Sequence, residues 1–376
     1  MSAENHAGWM RRALETARRG WGMTHPNPMV GALIVEQGRV VAEGFHARAG
    51  EPHAEIMALR NLGRAPAPGA TLYVTLEPCS TTGRTPPCSE AIIRAGIKHV
   101  VVGATDPNPA HQGRGFRQLR AAGIEVVEGI LAADCADLNL IFNHWIVKKT
   151  PLIAGKIATT LDGRVGTRSG QSQWITGAAA RRNAMRWRRL FPAIGVGAGT
   201  VLADNPQLTS RIGKNEWCPA RLIFDRTLRT VANPLPQVYA DAHRTQTIVV
   251  TGPQPDAARR AKLIKQGVTV LTLPAANSAK WFAELRKKCA AADLTGLLIE
   301  GGPALLSAFL QTGELDYLFA YRAPKFFADT EAVPVFTGPP RPRLTDAFTL
   351  RDVRHANLGD DQLLRGFVAY PPNRKP

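Results

Sequence analysis

Two α/β domains in tandem are what this sequence predicts. Three observations carry that reading. The chain has 376 residues, about two and a half times a typical ~150-residue domain. Apolar, strand-like runs alternate with helix-length segments. The alternation stops at Lys148-Lys149-Thr150-Pro151 and then restarts, so the expected domains are 1–147 and 148–376.

In the first half, Met10, Ala13, Leu14 and Ala17 have the i, i+3, i+4, i+7 spacing of one helix face. The turn-rich His25-Pro26-Asn27-Pro28 leads into apolar runs at 29–35 and 40–45, separated by Glu36-Gln37-Gly38-Arg39, which predicts a hairpin. A helix over 54–62, a strand over 71–76, a helix after Cys88, a strand over 97–103, a helix over 115–122 and a strand over 124–127 complete a three-layer α/β/α unit. In the second half, apolar runs at 152–158, 193–197, 221–225, 247–251, 268–273 and 296–300 predict a sheet covered on both faces. Ligands are expected where loops leave its strand ends.

Composition narrows the function. At 44% hydrophobic and 20% charged, with 34 Gly and 28 Pro spread along the chain, the sequence is neither collagenous, coiled-coil nor disordered. No stretch approaches the ~18 apolar residues of a membrane span, and the opening residues lack the apolar core of a secretory signal, so no membrane partner and a cytoplasmic location are expected. The 47 Lys plus Arg outweigh 30 Asp plus Glu by a net +17, which favours anionic partners, either nucleic acid or phosphorylated small molecules. The five cysteines are odd in number and sparse, which argues for a metal site over a disulfide framework.

One constellation carries chemistry. Pro52-His53-Ala54-Glu55, Glu77-Pro78-Cys79 and Cys88 supply an imidazole, two thiolates and an adjacent carboxylate. Three protein ligands, His53, Cys79 and Cys88, leave the fourth tetrahedral position of a Zn²⁺ for water and lower that water's pKa towards ~7. Glu55 is the expected catalytic proton shuttle, taking a proton from the water and delivering it to a ring nitrogen and the leaving amine. His53 and Cys88 are each expected to start a helix, whose positive end favours thiolate and hydroxide. The cysteines are separated by Ser80 to Pro87, longer than the Pro-Cys-x-x-Cys of cytidine-type deaminases. That loop offers Arg84 to an anionic substrate.

Two other readings compete. A nucleic-acid deaminase shares the zinc motif and suits a basic chain, but the cysteine spacing differs, no aromatic-rich RNA-binding motif is present and aromatics are only 7%. A structural zinc site usually has four protein ligands, whereas three are found here. In the second half the local signal is weaker. The strand exit Gly195-Val196-Gly197-Ala198-Gly199-Thr200 lacks the last glycine of a dinucleotide fingerprint. A second exit, Glu300 to Leu306, leads into a helix start whose amides suit a pyrophosphate, or whose glycines simply make a tight turn.

Taken together, several segments resemble the bifunctional pyrimidine deaminase/reductase family of riboflavin biosynthesis. They are His25 to Gly31, His53-Ala54-Glu55, Thr75 to Ser80 with Gly83 to Cys88, Asp106-Pro107-Asn108-Pro109, Lys156 to Arg164, Ser172 to Thr176, Gly199 to Thr209 with Arg211, and Glu300 to Leu306. Thr81-Thr82 stand where members commonly carry two histidines. The resemblance implies a cytidine-deaminase-like domain followed by a dihydrofolate-reductase-like domain that uses NADPH. It also implies a phosphorylated pyrimidine substrate, deaminated and then reduced from a ribosyl to a ribityl side chain, and no nucleic acid. By matching positions, Asn27, Arg84, Asp106 and Asn108 would touch substrate in the first domain. In the second, Ala158, Trp174, Thr200, Asp204, Gly302, Pro303, Ala304, Leu305, Leu306, Ser307 and Ala308 would contact the dinucleotide. Ser172, Arg188, Leu208, Arg211 and Glu300 would contact the substrate, with the two arginines suited to its phosphate. A homo-oligomer is compatible with the resemblance, although no residue argues for one.

Overall fold

The computed structural model describes residues 3–81, 86–212, 215–274 and 278–372. The chain divides into two compact units, Met1–Lys149 and Thr150–Pro376.

The first unit runs α1 (Ala3–Ala17), β1 (Gly31–Glu36), β2 (Arg39–Phe45), α2 (Ala54–Leu62), β3 (Thr71–Leu76), α3 (Cys88–Arg94), β4 (His99–Ala104), α4 (Arg114–Ala121), β5 (Glu125–Val127), α5 (Ala132–Leu138) and α6 (Leu140–Lys148). Met10, Ala13, Leu14 and Ala17 are buried, so the helix face expected from their spacing is the one that packs. Gln37 and Gly38, both at positive φ, turn the hairpin between β1 and β2. The five strands lie in the order β2-β1-β3-β4-β5. β1 is antiparallel to both its neighbours, and β3, β4 and β5 are parallel. Every residue of β1 and β3 is buried, as a sheet covered on both faces requires.

One glycine sets the position of α2. A Cβ on Gly44 of β2 would lie 2.3 Å from both Ala54 O and Ala58 N. The helix therefore rests directly on the strand's backbone, which fixes the height of its first turn. Helices α5 and α6 were not among the expected elements. The residue before α5, Leu131, sits at positive φ with no side-chain cap, so this helix lacks the usual start signal.

The second unit contains β6 (Leu152–Thr159), β7 (Arg164–Gly166), α7 (Ala178–Leu190), β8 (Ala193–Gly197), α8 (Ala198–Asp204), β9 (Ser210–Ile212), β10 (Asn215–Trp217), β11 (Ala220–Phe224), β12 (Thr247–Thr251), α9 (Ala257–Lys265), β13 (Thr269–Thr272), α10 (Ser278–Ala291), β14 (Gly296–Glu300), α11 (Pro303–Thr312), β15 (Tyr317–Arg322), β16 (Val333–Pro334), β17 (Thr349–Leu358) and β18 (Asp361–Ala369). Nine strands form one sheet in the order β13-β12-β11-β8-β14-β6-β15-β18-β17. The seven from β13 to β15 run parallel, and β18 and β17 close the edge antiparallel. Alternate strand residues supply two cores. Ala193, Leu222, Phe224 and Val250 pack with α10 and α11, whereas Ile194, Val196, Ile223 and Val249 pack with Leu228, Tyr239 and Leu263. Since β8, β14 and β6 are parallel neighbours, their C-terminal ends gather at one edge of the sheet, with Glu300 paired in register with Lys156.

Candidate active sites

In the first unit, His53 caps α2 with extended backbone, Glu55 lies in the helix's first turn, and Cys88 opens α3. Cys79 follows β3. His53 Nδ1 lies 3.6 Å from Cys79 Sγ and 3.3 Å from Cys88 Sγ. One ligand atom from each of the three residues falls within 4.8 Å of the others. Tetrahedral zinc with Zn–S near 2.3 Å and Zn–N near 2.0–2.1 Å has an N···S edge of about 3.5 Å. The nitrogen and two sulfurs thus fit zinc in donor type and spacing. The Cys88 backbone N–H donates to Cys79 Sγ at 3.3 Å, and the Ser89 N–H and Oγ–H donate to the Cys79 carbonyl at 3.1 and 3.0 Å. These bonds orient the sulfur from outside the ligand set.

Glu55 is 3% exposed. Burial, assisted by the negative charge of the Cys79 sulfur, pushes its carboxyl up to about 7. The hydrogen bond between the sulfurs draws the Cys79 thiol down and raises that of Cys88. A cavity of about 240 Å³ opens beside these groups and is lined by Asn27, His53, Glu55, Cys79, Asp106 and Asn108. The structure therefore brings His53, Glu55 and Cys79 and three of the four anticipated substrate contacts to one hollow, with Cys88 buried beside them. The fourth, Arg84, lies outside the described residues, as does Thr82. Burial raises the Asp106 carboxyl.

Residues not singled out in the sequence also line this hollow. His46, 2% exposed, bonds to the Pro52 carbonyl at 3.1 Å and to Asn27 Nδ2 at 3.1 Å, and meets the His53 ring edge-on. His111 also lines it. A single histidine outside any motif gives no signal of this kind. In the cavity wall, the Glu77 carboxylate accepts from three backbone amides, Asp106 at 3.1 Å, Gly113 at 3.0 Å and Gly115 at 2.9 Å. It ties the loop that carries Asp106 and Asn108 to the end of β3.

In the second unit, two continuous cavities of about 820 and 540 Å³ share Lys156, Trp174, Thr200, Asp204 and Gly301. The smaller is also lined by Ala158, Ser172, Gly302, Pro303, Ala304 and Leu306. The larger takes in Arg188, Leu208, Arg211 and Glu300. Of the residues expected at the dinucleotide, Leu305 and Ala308 pack against the core. Ser307 is buried and accepts from the Thr337 amide at 2.8 Å. None of these three is among the residues that line the two cavities. Ser172 lies on the smaller cavity, apart from the other anticipated substrate contacts.

The glycine-rich exits meet: Gly302 N–H donates to Thr200 Oγ1 at 3.2 Å. Gly301 adopts φ +108°, and a Cβ there would come within 2.6 Å of Thr200 Oγ1, so only glycine fits. Arg188 grips Glu300 with both ends of its fork, Nε to Oε1 at 3.0 Å and Nη2 to Oε2 at 2.9 Å. Burial works to raise the Glu300 carboxyl, but Arg188 and Lys156 outweigh it and hold it below its ordinary value. Desolvation raises Asp204.

A zinc-type deaminase unit followed by a doubly covered, mainly parallel sheet with a glycine-lined cavity defines a two-activity α/β enzyme. Comparison with known proteins gives it a family. Residues 3–104 match the cytidine and deoxycytidylate deaminase zinc-binding region, and residues 151–364 match the RibD C-terminal domain. The chain is 41% identical to the riboflavin biosynthesis protein RibD of Actinobacillus pleuropneumoniae over 96% of this chain and 95% of that one. It is 39% identical to RibD of Escherichia coli K12, with 95% and 97% covered. Among solved structures, RibD of Acinetobacter baumannii superposes with a TM-score of 0.78 at 37% identity, covering 98% of this chain and all of that one. The Thermotoga maritima diaminohydroxyphosphoribosylaminopyrimidine deaminase/5-amino-6-(5-phosphoribosylamino)uracil reductase gives 0.78 at 34% identity, with 98% and 99% covered. The chain belongs to the RibD family, the bifunctional deaminase–reductases of riboflavin biosynthesis.

Proposed function

We propose that the first unit deaminates 2,5-diamino-6-(5-phosphoribosylamino)pyrimidin-4-one and that the second reduces the resulting uracil's ribosyl side chain with NADPH. The single observation that supports this most directly is the His53–Cys79–Cys88 cluster with the buried Glu55 beside it, in a chain similar throughout its length to RibD proteins.

In deamination, His53, Cys79 and Cys88 hold zinc, which when bound makes water acidic enough to ionise near neutral pH. Glu55, poised near 7 by burial, carries a proton to the ring nitrogen and on to the departing amine. Water replaces the 2-amino group and ammonia leaves. Asn27, Asp106 and Asn108 orient the pyrimidine and its ribosyl arm in the cavity, with Arg84 serving the phosphate.

Reduction calls for a hydride at C1′ of the ring-opened sugar, which NADPH would supply when bound. Ala158, Trp174, Thr200, Asp204 and the Gly302–Leu306 helix start form its cradle. Pro303 has no N–H and the Gly302 amide is engaged by Thr200, so the amides of Ala304 and Leu305 are left to face a pyrophosphate. Leu208, Arg211 and Glu300 receive the substrate, with Glu300 accepting from sugar hydroxyls or an amino group. The net +17 suits two phosphorylated ligands.

The test is NADPH oxidation, followed by absorbance, with zinc-replete protein and the phosphoribosylated diaminopyrimidinone. Oxidation that requires both this substrate and Glu55 is the expected result. No oxidation, even with the deaminated intermediate supplied, sinks the reductase assignment.

A further inference from the structure

Matching positions made Arg188 a phosphate contact, yet its surroundings point elsewhere. Its Nε and Nη2 donate to the two oxygens of Glu300 at 3.0 and 2.9 Å, and its Nη1 donates to the Thr209 carbonyl at 2.6 Å. Three of the guanidinium's five N–H donors are therefore engaged by the protein itself. Both partners are nearly enclosed, the side chains being 12% and 10% exposed. A guanidinium whose charge is matched by a buried carboxylate has little net charge to offer a phosphate.

Both members of the pair line the larger cavity. Glu300 ends β14. On β6, Lys156 Nζ approaches Glu300 Oε2 at 3.9 Å. On β15, the buried Tyr321 stands close enough for its hydroxyl to be influenced by the carboxylate's charge, and donates to Asn183 at 2.8 Å. Arg188, from α7, is the one group that makes a two-point contact with this carboxylate among the described residues, and two parallel N–H···O bonds fix a carboxylate's plane as well as its position. Arg211, by contrast, is exposed at the rim of the same cavity, and its guanidinium donates to the neutral Gln207 side-chain carbonyl. Across the β9–β10 pair it faces Glu216, whose carboxyl its charge helps to hold down, but no two-point contact like that of Arg188 with Glu300 ties the guanidinium up.

We infer that Arg188 is a positioning residue that acts on the reduction through Glu300, fixing that carboxylate's plane and ionised state, and that Arg211 is what reads the substrate's phosphate. The inference rests on the reductase reading above. It separates two roles that the matching of positions had merged.

The experiment compares the deaminated intermediate with and without its phosphate, using full-length enzyme and NADPH. Wild-type enzyme should reduce both, with a lower KM for the phosphorylated form. No reduction by wild type overturns the reductase reading and this inference with it. Arg188→Met should lower kcat about 100-fold with either substrate, because the acceptor is misplaced. The ratio of the two KM values should stay within two- or three-fold of wild type. The acid limb of its kcat–pH profile should move to higher pH, because a carboxylate left with only Lys156 and Tyr321 beside it takes up a proton more readily. Arg188→Lys keeps the charge and one donor, so it should recover part of kcat and also preserve the KM ratio. This variant carries the comparison if Arg188→Met does not fold. Arg211→Ala should abolish the preference for the phosphorylated form. A lost preference in either Arg188 variant, with kcat and the pH profile unchanged, overturns the inference.

Discussion

The hydroxyl of Thr200 accepts the amide hydrogen of Gly302 at 3.2 Å, joining two glycine-rich strand exits that lie 102 residues apart in sequence. This bond holds the start of α11 against α8 and leaves no room for a Cβ on Gly301. Thr200→Val keeps the shape and removes the acceptor, leaving the Gly302 amide without its partner. The net loss of one hydrogen bond is about 1 kcal/mol. Dissociation constants for NADPH, read by fluorescence titration, should rise about five-fold. An unchanged constant would show that the bond has no part in shaping the cradle.

Glu55→Gln keeps the volume of the side chain and removes its ability to accept a proton. Deamination should fall by about 10²–10⁴-fold, the usual share of a general acid–base group. Bound zinc, measured by elemental analysis, should stay at the wild-type level, and reduction of the deaminated intermediate should be unaffected. Loss of both activities would contradict the assignment of the two reactions to separate units.

Gly44→Ala places a methyl group 2.3 Å from backbone atoms of α2, which cannot move aside as a flexible side chain would. The helix must lift, and His53 and Glu55 with it. The expected cost is about 1–3 kcal/mol of stability, the range for overpacking a filled interior. A zinc-chelator competition should show weaker metal retention than in wild type. Wild-type retention together with wild-type melting would mean that the contact is not what seats the helix.

Acid should unfasten the second unit in a way that depends on Glu300. Its carboxyl is held below the ordinary value of 4.5 in the folded chain. The pair therefore contributes stability that is fully present above that value and disappears as pH falls through the depressed folded value. Melting temperatures of the wild type and of Glu300→Gln should differ most at neutral pH and converge in strong acid. A difference that does not vary with pH would mean that ionisation of Glu300 is not linked to folding.

The elements most legible in the sequence were strands buried on both faces. Thr71–Leu76, Ala193–Gly197, Thr247–Thr251 and Gly296–Glu300 have the bounds that their apolar runs suggested. β17 and β18 were missed because most of β17 is exposed and carries Arg351, Asp352 and Arg354, which break any apolar run. The Gly359-Asp360 turn between them was the available signal. At the first site, spacing alone identified His53, Cys79, Cys88 and Glu55, because a metal demands particular donor types close together. At the second, Arg188 sits among Arg181, Arg182, Arg186 and Arg189 on one helix, and what distinguishes it is a partner 112 residues away. Such pairing is a property of the folded sheet and has no local trace.

Glu77 has a consequence for how this enzyme tolerates change. It grips the Asp106–Gly115 loop through three backbone amides and no side chain. Every residue except proline brings such an amide, so the fastening is indifferent to which side chains the loop displays. Two anchors are exceptions: Gly113 sits at φ +72°, and a Cβ on Gly115 would meet the Pro78 carbonyl at 2.2 Å. A change of side chain on this loop thus alters what the pocket displays, and the turn bonds that Asp106 and Asn108 make, while leaving the Glu77 fastening beside Cys79 in place.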